Sequence, residues 1–281
     1  MTKHRALLVA LAAAAIAGCG EESPPAIGPT GDQEQEIAHI HGLGVNPADD
    51  ALVIATHTGL FRAPPSARKA TRIGDRRQDT MGFTVIGPDR FLGSGHPDAR
   101  DDLPPLLGLI RSGNGGREWD SVSLMGEVDF HVLRAQGLNI YGVDSQSGAL
   151  FVSSDGGNNW VRRRPPGALL DVAIDPGDAR RIVASGERGL LLSRDAGASW
   201  RPLSTRIAGM LAWTDTLTVI DPSGAVFEGA DEMGRFDRVG QLGGEPWALA
   251  VHEGELLAAT HDNQVLTSND GGRSWLRRLS S

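Results

Sequence analysis

One spacing, Ser-x-Asp-x-Gly-x-x-Trp, recurs along this chain: at Ser153/Asp155/Gly157/Trp160, at Ser193/Asp195/Gly197/Trp200 and at Ser268/Asp270/Gly272/Trp275. A degenerate copy, Ser112/Asn114/Gly116/Trp119, lies upstream. The copies start roughly 40 residues apart with one double gap, and a period of that length built on short β-like runs marks a propeller or another repeat array. Each position has a mechanical reason. Asp and Ser side chains hydrogen-bond the backbone of a tight turn, the Gly tolerates positive φ, and the Trp buries a large ring whose N–H needs a partner. Each box reads as a fastener between two strands.

Aligning the chain on the boxes exposes weaker repeats. The run Arg181–Leu192 matches Glu255–Leu266 and Ala51–Phe61, with further versions at Leu138–Val152, Thr216–Phe227 and, carrying an insertion, Arg90–Ile110. A short apolar strand precedes each, at Gly42–Val45, Phe83–Ile86, Phe130–Leu133, Val172–Ile174, Leu211–Trp213 and Ala248–Val251. The double gap holds a decayed box near Asp231–Phe236. Six units of four strands predict an all-β, six-bladed propeller of antiparallel blades over 37–281. The 37 Gly and 16 Pro suit a fold that turns every few residues.

With these boxes the chain resembles the Asp-box (BNR repeat) β-propellers, which include sialidases, sortilin-type receptor domains and a photosystem II assembly factor. It is also similar to bacterial lipoproteins called glycosylhydrolase-like. The box at Ser112 departs from the pattern, with Asn114 for the Asp and Glu118 where Ser or Thr is usual. The resemblance implies that the boxes are structural turns away from the ligand face, so their Asp residues are not catalytic candidates.

The N-terminus begins with Lys3, His4 and Arg5, continues apolar from Ala6 to Ala17, and reaches Ile16-Ala17-Gly18-Cys19. This is a secretory signal pattern over 1–18, and its end resembles a bacterial lipobox in which Cys19 becomes the lipidated first residue. Cys19 is the only cysteine, which lipidation explains better than a free thiol on an exported protein. Residues 19–36, rich in Glu, Pro, Gly and Gln, form a flexible tether. The expected place is therefore the extracytoplasmic face of a bacterial membrane, with the membrane as partner through the lipid. A net charge of −8 argues against nucleic acid.

Propeller topology places the start of each first strand and the end of each second strand on one rim, opposite the boxes. His39 and His41 begin the first unit, His57 ends its second strand, His261 occupies the equivalent place in the last unit, and His96 lies one position later in the second. These five converge on one sector as candidate ligands for a transition metal, Zn or Cu. Met81 offers a soft sulfur donor. His131 is a candidate channel-lining ligand residue, and His252 falls at the opposite end. In the inserted loop, Asp98, Asp101 and Asp102 are oxygen ligands, orienting acceptors or solvated loop residues. For the histidines three readings stand: a metal site, a pocket for a polar ligand, or packing and turn residues.

Function divides accordingly. A tethered binding or scaffolding propeller, for a metal, a small molecule, a glycan or a protein, uses the histidine rim. A glycoside hydrolase instead needs two separated acids, for which Asp144, Glu187, Asp221 and Asp262 are candidates at this rim. The sialidase chemistry implied by part of the resemblance needs a Tyr nucleophile, and the single tyrosine, Tyr141, lies inside a strand.

Overall fold

The computed structural model describes residues 37–229 and 234–280. Cys19, the leader and the tether lie outside the described residues, as does much of the decayed fifth-blade box. The repeats become six four-stranded antiparallel sheets, each ordered as in the sequence. Blade 1 comprises β1 (Ile40–Asn46), β2 (Ala51–Thr56), β3 (Gly59–Ala63) and β4 (Thr71–Arg72); blade 2 comprises β5 (Asp79–Gly87), β6 (Arg90–His96), β7 (Leu109–Ser112) and β8 (Asp120–Ser123). Blade 3 follows with β9 (Phe130–Gln136), β10 (Asn139–Asp144), β11 (Leu150–Ser153) and β12 (Val161–Arg163), and blade 4 with β13 (Leu169–Asp175), β14 (Asp178–Gly186), β15 (Gly189–Ser193) and β16 (Arg201–Ser204). Blade 5 contains β17 (Met210–Trp213), β18 (Leu217–Ile220), β19 (Ala225–Gly229) and β20 (Asp237–Gln241); blade 6 contains β21 (Pro246–His252), β22 (Glu255–Thr260), β23 (Val265–Ser268) and β24 (Leu276–Arg277). The first strands of neighbouring blades pack on one another all the way round, so β1, β5, β9, β13, β17 and β21 surround a central channel.

The core consists of six apolar seams, one between each pair of neighbouring blades. The box tryptophans fill these seams toward the preceding blade: Trp119 against blade 1, Trp160 against blade 2, Trp200 against blade 3 and Trp275 against blade 5. At the seam between blades 4 and 5, Phe236 packs where the decayed box lacks its Trp. The ring closes by packing β1 on β21, reinforced by bonds from Ser280 N to Arg68 O (2.8 Å) and from Ile40 N to Asn263 Oδ1 (3.3 Å).

Inside a box the wiring repeats. Ser153 Oγ donates to Asp155 Oδ1 (2.8 Å) and accepts from Gly157 N (2.9 Å), while Asp155 Oδ1 accepts from Asn159 N (2.9 Å). Gly157 has φ 91°, and a Cβ there would lie 2.2 Å from Leu109 Cδ2, so both backbone and space demand glycine. In the degenerate box Asn114 Oδ1 accepts from Ser112 Oγ (3.1 Å) and Glu118 N (2.9 Å), the same wiring without the charge.

Donors from Asn159, Ser199 and Ser274, followed by backbone N–H groups, hold Asp155, Asp195 and Asp270 at about 2. A carboxylate depressed in the folded state stabilises it above the unfolded value near 3.9, and that contribution is lost as pH falls through the folded value. Acid unfolding followed by tryptophan fluorescence should therefore steepen between about pH 4 and pH 2. The triple variant Asp155→Asn/Asp195→Asn/Asp270→Asn should flatten that dependence, since Asn114 shows that the amide keeps the wiring. An unchanged slope would refute the account.

Candidate functional site: the histidine rim and channel mouth

The boxes share a rim with the turns between first and second strands, as bonds from Gly115 N to Asp89 O, Gly156 N to Leu138 O and Ala196 N to Arg180 O require. The histidine rim is the other one. There the first strands are irregular. The β1–β2 register jumps between Ile40 and Gly42, leaving His41 as an extra residue, and the same β-bulge isolates Met81 in β5, His131 in β9, Leu170 in β13 and Trp247 in β21. Met210 holds the corresponding place at the start of β17. All six side chains line the channel mouth, a cavity of about 450 Å³ above a narrow throat of about 50 Å³.

Two carboxylates missed by the sequence reading organise the histidines. Asp79, at the start of β5, reaches across the seam to blade 1. Its Oδ2 lies 2.8 Å from His57 Nδ1 and its Oδ1 3.4 Å from His41 Nε2. The second contact has the distance but not the alignment of a hydrogen bond, so both His41 Nε2 and Asp79 Oδ1 are buried without a partner. The three residues present one ligand atom each within 4.8 Å of one another. His39 stands beside them, its ring centroid 6.1 Å from that of His57 and its backbone left-handed at φ 50°.

Asp129, just before β9, repeats the arrangement at the next seam. Its Oδ2 accepts from His131 Nε2 (2.9 Å) and Ser145 Oγ (3.0 Å), and lies 3.6 Å from His96 Nε2. Burial alone would raise the Asp129 carboxyl, but the His131 bond and charge, Ser145 and the His96 charge together lower it. The Asp129 bond is also what raises the His131 imidazole. His96 Nδ1 lies 2.8 Å from the carbonyl of Pro105 in the inserted loop.

The remaining candidates have other neighbours. His261 packs edge-on against Trp247, centroids 5.1 Å apart, and His252 lies 4.0 Å from Asp50 on the box rim. Asp98 is clamped by Arg100 and by the Arg77 backbone N–H, and the Arg100 bonds hold its carboxyl well below the usual range. Asp101 pairs with Arg76, and Asp102 is exposed. Among the proposed acids, Asp144 accepts from Asp129 N, Ser147 N and Ser147 Oγ, Asp221 from Ser223 and Ala225, and Asp262 from Thr260 and Gln264. All three serve strand-connecting turns. Glu187 is exposed in the turn after β14. Tyr141 is buried at the seam, its hydroxyl donating to Ala179 O (2.6 Å), and burial pushes it up to about 12.

A signal for the missed residues was present. Aligning the first strands puts His39, Asp79 and Asp129 in one column and His41, Met81 and His131 two residues later. What the column lacks is the bulge, which decides where those side chains point.

The comparisons agree on architecture. The chain superimposes on a GH74 enzyme of Niastella koreensis with TM-score 0.61 at 15% identity, covering 87% of this chain and 46% of that one. It superimposes on the GH74 xyloglucanase of Xanthomonas campestris with TM-score 0.54 at 20% identity, covering 86% and 45%, and on YCF48 bound to D1 peptide with TM-score 0.52 at 16% identity, covering 85% and 82%. It has their propeller fold. The chain spans less than half the length of the GH74 chains, and at these identities the likeness concerns fold alone. No protein-family model matches the sequence, and no curated protein matches it.

Proposed function

We propose that this protein is an exported propeller, tethered to a membrane through a lipid on Cys19, that binds a transition-metal ion at the histidine rim. The observation that carries the reading is the pair of buried, unpartnered atoms facing each other, His41 Nε2 and Asp79 Oδ1 at 3.4 Å, with His57 beside them. Each such orphan costs about 1–3 kcal/mol when nothing satisfies it. Two donors on one tetrahedral ion with bonds near 2 Å stand roughly 3.3 Å apart, so a cation between them removes both costs. Two imidazoles and a carboxylate suit Zn(II) and, more tightly by the Irving–Williams order, Cu(II). His39, its ring centroid 6.1 Å from that of His57, lies outside the three converging ligand atoms and would have to turn to add a fourth donor. The glycoside-hydrolase reading draws on fold likeness, and three of its four candidate acids are engaged in turns.

Equilibrium dialysis of protein purified without a histidine tag should find about one Zn(II) or Cu(II) per chain at micromolar free metal. His57 is largely exposed, so His57→Ala should fold normally and bind at least tenfold more weakly. If no ion binds, or if the variant binds as well as the parent, the reading fails.

A further inference from the structure

We propose that the channel mouth is a second, chemically distinct site, which holds a soft monovalent cation of the Cu(I) or Ag(I) class between Met81, Met210 and His131, beside the Trp247 indole. It uses neither His57 nor Asp79 and does not rest on the rim reading.

The first support is the placement of the donors. Each blade sends one residue into the mouth from the start of its first strand, and in five blades a bulge breaks the strand's alternation at that residue. Bulges re-aim side chains, and five aimed at one axis concentrate whatever chemistry the five positions carry. Here the ring reads His41, Met81, His131, Leu170, Met210 and Trp247, and all six line the same throat of about 50 Å³. Of the three methionines among the described residues, Met81, Met125 and Met210, two belong to this ring.

The second support is donor chemistry. Thioethers are neutral, polarizable donors that add little for Zn(II) and select Cu(I) among biological metals. His131 completes the set in a manner typical of metal-bound imidazole. Asp129 occupies its Nε2, so the neutral ring carries its proton there and leaves the Nδ1 lone pair for an ion. A carboxylate behind the imidazole also makes it a stronger donor.

The third support is electrostatic. Most of the mouth's lining is apolar, with Val132, Val143 and Leu169 among it, and Asp144 and Glu245 add acidic groups that favour a cation. Because the cost of desolvation grows as the square of charge, a monovalent ion loses roughly a quarter of what a divalent ion of equal size would lose there. Arg134, which lines the throat, is paired with Asp171 at 2.7 Å. An indole in the same cavity adds attraction for a weakly hydrated cation.

The test is an anaerobic titration with Ag(I), the redox-inert stand-in, and with Cu(I) held by a competing chelator. The parent is the full chain carrying Cys19→Ser, which removes the one thiol. One equivalent should bind, and Met81→Leu/Met210→Leu, a nearly volume-conserving change, should weaken it at least 100-fold. Met125→Leu should leave it unchanged. His57→Ala should leave Ag(I) binding intact while reducing Zn(II) binding, so each site can fail without the other. X-ray absorption of the Cu(I)-loaded parent, which needs no variant to fold, should show sulfur scatterers. Absence of binding, unchanged affinity in the double variant, or scattering from nitrogen and oxygen alone would each overturn the proposal.

Discussion

Asp79→Asn is expected to abolish the stabilisation that a divalent ion gives this protein. An ion at 100 times its dissociation constant stabilises the folded state by about 2.7 kcal/mol, which in a domain of this size raises Tm by roughly 5–10 °C. The variant keeps the shape of the side chain but removes the charge that two imidazoles face. Without metal its Tm should match or exceed the parent's, because the amide no longer buries an unpartnered carboxylate oxygen. A thermal scan with and without Zn(II) separates these effects. A metal-induced rise of equal size in both proteins would exclude Asp79 from the site.

Phe130→Ala should be the most damaging single change in the fold. The ring is fully buried, lies 5.6 Å from Phe151 and 5.3 Å from the box tryptophan Trp160 by centroid, and packs so closely that a Cβ on Gly142 would come within 2.5 Å of it. Truncation of such a side chain costs about 3–5 kcal/mol. That corresponds to a fall in Tm of roughly 6–20 °C. Phe130 also sits between Asp129 and His131, so the variant should weaken Ag(I) binding at the mouth as the second blade seam loosens. A urea-unfolding free energy within about 1 kcal/mol of the parent's would show that the seam repacks around the void.

The box period made the architecture legible because each box is local: its Ser, Asp and Gly wire to one another through their own side chains and backbone, and the Trp that ends the box packs into the seam with the preceding blade. The boxes set the period, the strand runs aligned on them count six blades, and strand direction assigns the rims, which is why the first-strand starts and second-strand ends could be placed together in advance. The histidine positions followed from the same logic. Their grouping did not. His41 and His57 meet through Asp79 of the next blade, His96 and His131 through Asp129 of the next again, and His261 turns instead to Trp247. The Asp79 contacts and the approach of His96 to Asp129 cross seams, and nothing within a single repeat encodes which neighbour a side chain will face; His131 with Asp129 and His261 with Trp247 meet within one blade.

The sequence by itself thus determined the number of blades, the quiet rim and the column of residues at each first strand's entry, since these depend on short-range periodicity. Only the tertiary structure decided which way that column points. Alternation along a strand fixes side-chain direction from sequence, and a β-bulge resets it by one residue through pairing with the neighbouring strand. In this protein the bulges turn His41, Met81, His131, Leu170 and Trp247 into the channel mouth, and the closed ring brings Met210 to meet them there.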